Sequence, residues 1–264
     1  MVNNFLIAGK LGDFLHSLFA VKNLCEQNKY KANIYMVDIG WDFGIENTYQ
    51  ELKPILKKQE YINDVFILND YYLDPIQNPE RNSPIQVFNE QLKKEGYIFN
   101  EYIKSSLLYK TCWSEIYENL YNFKSNQAQW LMYDAYDENL KGKILVHRKN
   151  NDMKNETFPW EQICNQYKDN LIFISSNIAD YDNFPWKEKM PFKRIVTLDD
   201  WFTSINSCEM VISNLTGPTA IAHALDKKRI IELPNRLDAI HCIGEEKYSH
   251  NIFWYLNENL HNLI

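Results

Sequence analysis

The chain has 264 residues, 45% hydrophobic and 14% aromatic, which is ample for one large or two small packed cores and argues against wholesale disorder. A net charge of −7 argues against a partner held through phosphate neutralisation, so no nucleic acid is expected, although Lys141, Lys143, His147, Arg148, Lys149 and Lys154 form a local basic patch. No apolar run approaches the roughly 18 residues of a membrane span, and five scattered cysteines without a CxxC pair suggest neither a disulfide framework nor a zinc site.

The segment Met1–Phe5 lacks the features of a secretory signal, so a reducing cytoplasm is the expected location. Val2–Ala8 is a short apolar run, the signature of a buried parallel strand. Phe14, Leu15, Leu18, Val21 and Leu24 then fall at helical spacing over Asp13–Leu24. A strand is expected at Asn33–Val37 and a helix at Ile45–Leu56, which Pro54 interrupts or ends. A third strand covers Asp64–Leu68. Asn69–Pro84, with Pro75, Pro79 and Pro84, reads as irregular, and helices follow around Ile85–Lys94 and Ser106–Phe123.

The polar stretch Lys124–Gly142 reads as a link, dividing residues 1–130 from 131–264. The second half runs strand Lys143–His147, helix Pro159–Tyr167, strand Leu171–Ser175 and a short strand Ile195–Leu198. Helix Asp199–Ser207, strand Glu209–Ser213, helix Pro218–Leu225, strand Arg229–Leu233 and a final amphipathic stretch Asn251–Leu263 complete it. Strands alternating with helices in both halves predict an α/β chain with two parallel, doubly wound sheets facing each other across a cleft.

Two turns stand out. Ala8-Gly9-Lys10-Leu11-Gly12-Asp13 follows the first strand, and Ser213-Asn214-Leu215-Thr216-Gly217-Pro218-Thr219 follows Met210-Val211-Ile212. A strand–turn–helix junction gathers free backbone N–H groups and the positive end of a helix dipole, which suits an anion. The first turn is neither a dinucleotide fingerprint nor a P-loop, because it has no third glycine and no Gly-Lys-Ser/Thr ending. Gly9 and Gly12 are expected to allow positive φ and a close approach. Asp13 either takes a proton from an attacking hydroxyl or simply favours the helix N-terminus. His16, one turn later, either contacts substrate or packs.

In the second turn, Thr216, Gly217 and Thr219 offer N–H groups and two hydroxyls, with Pro218 expected at the first helical position and His223 on the same face as Thr219. This geometry fits a diphosphate without a metal, or else an ordinary capped helix. Arg148 or Lys149, after the strand Ile144–Val146, either neutralises charge on a leaving phosphate or belongs to a solvated basic loop.

Gly9-Lys10-Leu11-Gly12-Asp13, the basic loop at Arg148 with Phe158-Pro159-Trp160, and Asn214 to Leu225 followed by Lys228-Arg229 together resemble the GT-B glycosyltransferases, within them the heptosyltransferase-like family 9. The resemblance spans nearly the whole chain, and its distinctive part is the C-terminal segment. It departs from the pattern where Asn214-Leu215 replaces an acidic residue and where Ala220 takes the place of a histidine, with His223 three residues later. The resemblance implies two Rossmann-like domains, an acceptor-side domain at 1–130 and a nucleotide-sugar-binding domain at 131–264. It implies inverting, metal-independent transfer of a sugar from a nucleotide-diphosphate sugar to a glycan or other hydroxyl acceptor, with no further cofactor and Asp13 as base. Arg148, Lys149, Thr216, Gly217, Pro218, Thr219 and His223 would bind the donor, and Gly9, Gly12 and His16 would lie on the acceptor side. A catalytically inactive nucleotide- or glycan-binding relative is the alternative, as is a nucleotide-sugar epimerase or hydrolase.

Overall fold

The computed structural model describes residues 1–7, 9–38, 41–72, 96–98, 105–107, 110–125, 128–149, 154–234, 242, 244–256 and 259–260. The chain divides into two compact units, one formed by Met1–Leu108 and Ser114–Ser125, the other by Tyr109–Trp113 and Asn126–Ile264. Among the described residues no helix is long and apolar enough to cross a membrane.

The first unit contains β1 (Val2–Ile7), α1 (Leu11–Asn28), β2 (Lys31–Asp38), α2 (Ile45–Lys57), β3 (Ile62–Tyr72), β4 (Gly96–Ile98) and most of α3 (Trp113–Tyr121). Its sheet has the order β3-β2-β1-β4, and every pairing is parallel. Phe5, Leu6 and Ile7 are buried without alternation, as a strand covered on both faces requires. Phe14, Leu15, Leu18, Val21 and Leu24 of α1 are buried, as their spacing predicts. The helix ends on Lys29 in the left-handed conformation, whose N–H bonds the Cys25 carbonyl.

The second unit contains β5 (Ile144–His147), α4 (Trp160–Tyr167), β6 (Leu171–Ser175), α5 (Ile178–Asp182), β7 (Phe192–Arg194), α6 (Leu198–Ser207), β8 (Met210–Asn214), α7 (Gly217–Ala224), β9 (Lys228–Glu232), β10 (Ile252–Leu256) and β11 (Asn259–Leu260). Its sheet runs β11-β10-β9-β8-β5-β6-β7, parallel except for the β10–β11 pair. One core gathers Val146, Phe158, Trp160, Phe173, Phe184 and Ile212. Burying a side chain such as Phe173 contributes about 1.5–3 kcal/mol.

Several elements differ from the sequence expectations. Pro54 does not end α2, which continues to Lys57. Leu52, Ile55 and Leu56 are buried, and their packing holds the turn, while the carbonyl that loses its partner belongs to the exposed Gln50. The strand expected at Ile195–Leu198 lies earlier, at Phe192–Arg194. Thr197 instead caps α6: its hydroxyl accepts the Asp200 N–H, and the Asp200 carboxylate accepts the N–H groups of Val196 and Thr197. The helix expected from Ser106 begins at Trp113. The stretch Asn251–Leu263 supplies β10 and β11. The irregular segment Asn69–Pro84 is strand as far as Tyr72, and its remainder, like the helix expected at Ile85–Lys94, lies outside the described residues.

Candidate functional site

Each sheet has one place where the winding direction reverses. In the first unit the chain steps from β1 to β2 to β3 on one side, while β4 adds on the other side of β1. In the second, β5 to β6 to β7 runs one way and β8 to β9 to β10 the other, so β5 and β8 are the neighbours that part. Loops leaving the carboxyl ends of such strands diverge and open a crevice for ligands. The two turns singled out in the sequence occupy these places.

At the first, Gly9 has φ +119°, and a β-carbon there would come within 2.4 Å of the Asp13 β-carbon. Asp13 is the third residue of α1, half-buried, in the first turn where the helix dipole favours negative charge. Its backbone carbonyl accepts the Ser17 hydroxyl at 2.8 Å, and Ser17 Oγ lies 2.8 Å from the Tyr117 hydroxyl, which ties this turn to α3. His16 is half-buried on the same helix.

At the second, β5 and β8 pair with His147 opposite Ser213. Asn214, fully buried, turns its amide across this seam. Its Oδ1 accepts the Lys149 N–H at 3.1 Å and its Nδ2 donates to the Lys149 carbonyl at 2.9 Å. The Asn214 carbonyl accepts the hydroxyls of Ser213 and Thr219, each at 2.8 Å. His147 Nδ1 lies 3.1 Å from Thr216 Oγ1, and Trp201 stands edge-on to the imidazole. Burial holds the His147 pKa down at about 4, against the nearby Asp180, so the ring is neutral at physiological pH. Thr216 caps α7 in an extended conformation, and Thr219 N–H already bonds the Thr216 carbonyl. Pro218 has no N–H, which leaves the Gly217 N–H of the first turn for a ligand.

No protein-family model and no curated protein matches the chain in sequence. Solved structures match its backbone, three of them as follows. Escherichia coli heptosyltransferase WaaC with ADP is 12% identical with a TM-score of 0.54, covering 96% of this chain and 92% of that one. E. coli ADP-heptose LPS heptosyltransferase II is 10% identical with a TM-score of 0.57, covering 98% and 92%. A glycosyl transferase of family 9 from Veillonella parvula is 12% identical with a TM-score of 0.51, covering 87% and 79%. The fold is heptosyltransferase-like GT-B.

Within this GT-B fold, several expected site residues have other partners. Arg148 is not a free cation: its Nε and Nη2 make a buried, bidentate pair with Glu232 at 2.8–3.1 Å. Glu232 also accepts the Asn155 N–H at 2.6 Å, so one carboxylate fastens both ends of the loop after β5. Lys149, by contrast, is exposed, and its ammonium has no ion-pair partner among the described residues. The Thr219 hydroxyl is turned inward to Asn214. His223 is buried, edge-on to Trp130 and 3.5 Å from the Glu245 carboxylate. Pro218 is the second helical residue, not the first, and Gly12 has neither positive φ nor a neighbour within 4 Å of a would-be β-carbon.

Two contributors escaped the sequence reading. Glu232 ends β9 directly after Ile230 and Ile231, and a fully buried carboxylate there requires a partner, but that partner lies 84 residues earlier. Asn214 stands in the sequence as the place of a missing acid and as a candidate helix cap, neither of which points to Lys149.

Proposed function

We propose that this protein is a glycosyltransferase that moves a sugar from a nucleotide-diphosphate sugar to a hydroxyl acceptor, inverting and independent of metal. The carrying observation is the seam between β5 and β8. There the Gly217 N–H, the positive start of α7 and the exposed Lys149 form an anion site at the reversal of winding. The leaving diphosphate gathers negative charge as the glycosidic bond breaks, and these groups stabilise it without reorganising. In the other unit, Asp13 at the matching reversal serves as the base. The acceptor oxygen attacks the anomeric carbon, the bond from that carbon to the diphosphate oxygen breaks, and the acceptor proton passes to the Asp13 carboxylate. Arg148 acts here through Glu232 as a support of the loop after β5, and His223 as a buried packing residue.

The WaaC structures with ADP and with ADP-2-deoxy-2-fluoro heptose make an adenosine diphosphate sugar the first donor to test. A ligand that binds only the folded state raises its apparent stability, by about 2.7 kcal/mol at a hundredfold excess over Kd. ADP, UDP, GDP and their sugars are therefore screened by thermal shift, and the best donor is followed by product analysis with an acceptor panel in EDTA. Asp13→Asn is expected to abolish transfer while leaving the fold and donor binding largely intact. Absence of any shift with every nucleotide would overturn the donor site, and full activity of Asp13→Asn would overturn the base.

A further inference from the structure

The contact between Asn214 and Lys149 is a closed pair of hydrogen bonds between a side-chain amide and the backbone N–H and C=O of one residue. Asn214 donates from one end of its amide and accepts at the other. Its own carbonyl is held by Ser213 and Thr219, so the pinning residue is itself fixed at the root of α7. A carboxylate in its place would keep the bond from the Lys149 N–H but would face the Lys149 carbonyl with a second acceptor. We propose that Asn214 is a positioning residue for Lys149: its amide fixes the peptide from which the lysine side chain rises, two residues from the Thr216 cap, so that the ammonium meets the donor's diphosphate. Neighbouring Arg148 carries its charge into Glu232, whereas Lys149, next to the Asn214 contact, is exposed.

This proposal rests on the donor site described above, and the two fail differently. The probes are ADP, UDP and GDP, with affinity measured by calorimetry on the full chain. Lys149→Met is expected to weaken binding of the best of them at least tenfold. Asn214→Asp is expected to match that loss within about threefold, and the double variant to be no weaker than the worse single by more than about threefold, because both changes remove one effect. Lowering the pH toward 5 protonates the introduced carboxyl, restores a donor to the Lys149 carbonyl and is expected to close the gap to wild type. His147, at the same seam, stays neutral over that range.

If no nucleoside diphosphate binds the wild type, the donor site itself is wrong and the positioning role goes with it. If they bind and Lys149→Met has no effect, or the Lys149 and Asn214 losses simply add, the positioning role is wrong and the donor site stands. Should Asn214→Asp not fold, amide exchange in the wild type decides. The Lys149 N–H must exchange slowly despite its exposed side chain, and exchange at the unprotected rate overturns the proposal.

Discussion

A β-carbon on Gly9 would stand 2.4 Å from the β-carbon of Asp13. The turn between β1 and α1 therefore closes only with glycine at that position, and its φ of +119° excludes other residues a second time. Gly12 sits in the second position of α1 in open space. Gly9→Ala is expected to lose about 2–3 kcal/mol and to displace the Asp13 carboxylate. Gly12→Ala is expected to be neutral or to gain up to about 1 kcal/mol. Urea midpoints of the two variants check this, and equal midpoints would contradict it.

Arg148 and Glu232 form a pair that is 7% and 0% exposed, with two nitrogens on two oxygens. Removing one partner strands a buried charge. Glu232→Leu or Arg148→Met alone is expected to cost about 3–5 kcal/mol, whereas the double variant should recover most of that loss. A denaturation double-mutant cycle reads the coupling directly. Additive losses would mean that the two groups do not depend on each other.

His147 gives the fold a defined acid limit. The unfolded chain takes up a proton near the ordinary pKa of 6.5, while the folded one refuses it until about pH 4 because burial opposes the charge. This contribution is complete above pH 6.5 and drains away as the pH falls toward 4, by at most about 3 kcal/mol. His147→Gln should flatten that part of the stability profile. An unchanged slope between pH 6.5 and 4 in the variant would assign the acid loss to other groups.

All five cysteines are buried. Burial raises the thiol pKa to about 12 for Cys25 and Cys208 and to about 11 for Cys164, so the reactive thiolate is scarce at neutral pH. A thiol-selective reagent is expected to label none of them in the native protein within minutes and all five in denaturant. Fast native labelling of any one would reveal local opening around that cysteine.

The sequence was most legible where pattern and burial coincide. Unbroken apolar runs marked β5 and β8, and the 3.6-residue spacing marked α1. His223 shows how spacing alone misleads. It does share a face with Thr219, but both side chains are buried and that face looks inward. The signal was present in the composition of Gly-Pro-Thr-Ala-Ile-Ala-His-Ala, since a helix apolar all round belongs in a core. Arg148 could not be placed from its own neighbours, because its partner comes from a strand 84 residues away. The grip of Asn214 on Lys149 was not visible locally, since the backbone its amide holds lies 65 residues earlier.

The course of the chain between its two units has a practical consequence. It passes from one to the other after Leu108, returns after Trp113 and leaves again after Ser125. No single cut yields both halves intact. A fragment beginning at Asn126 lacks Tyr109–Trp113, and with it Cys112, which is fully buried and whose sulfur lies 3.5 Å from where a β-carbon of Gly244 would stand. The complementary fragment ending at Ser125 carries those five residues without the surroundings that cover them. Expression of either half alone therefore calls for the short excursion to be grafted onto one piece and bridged in the other.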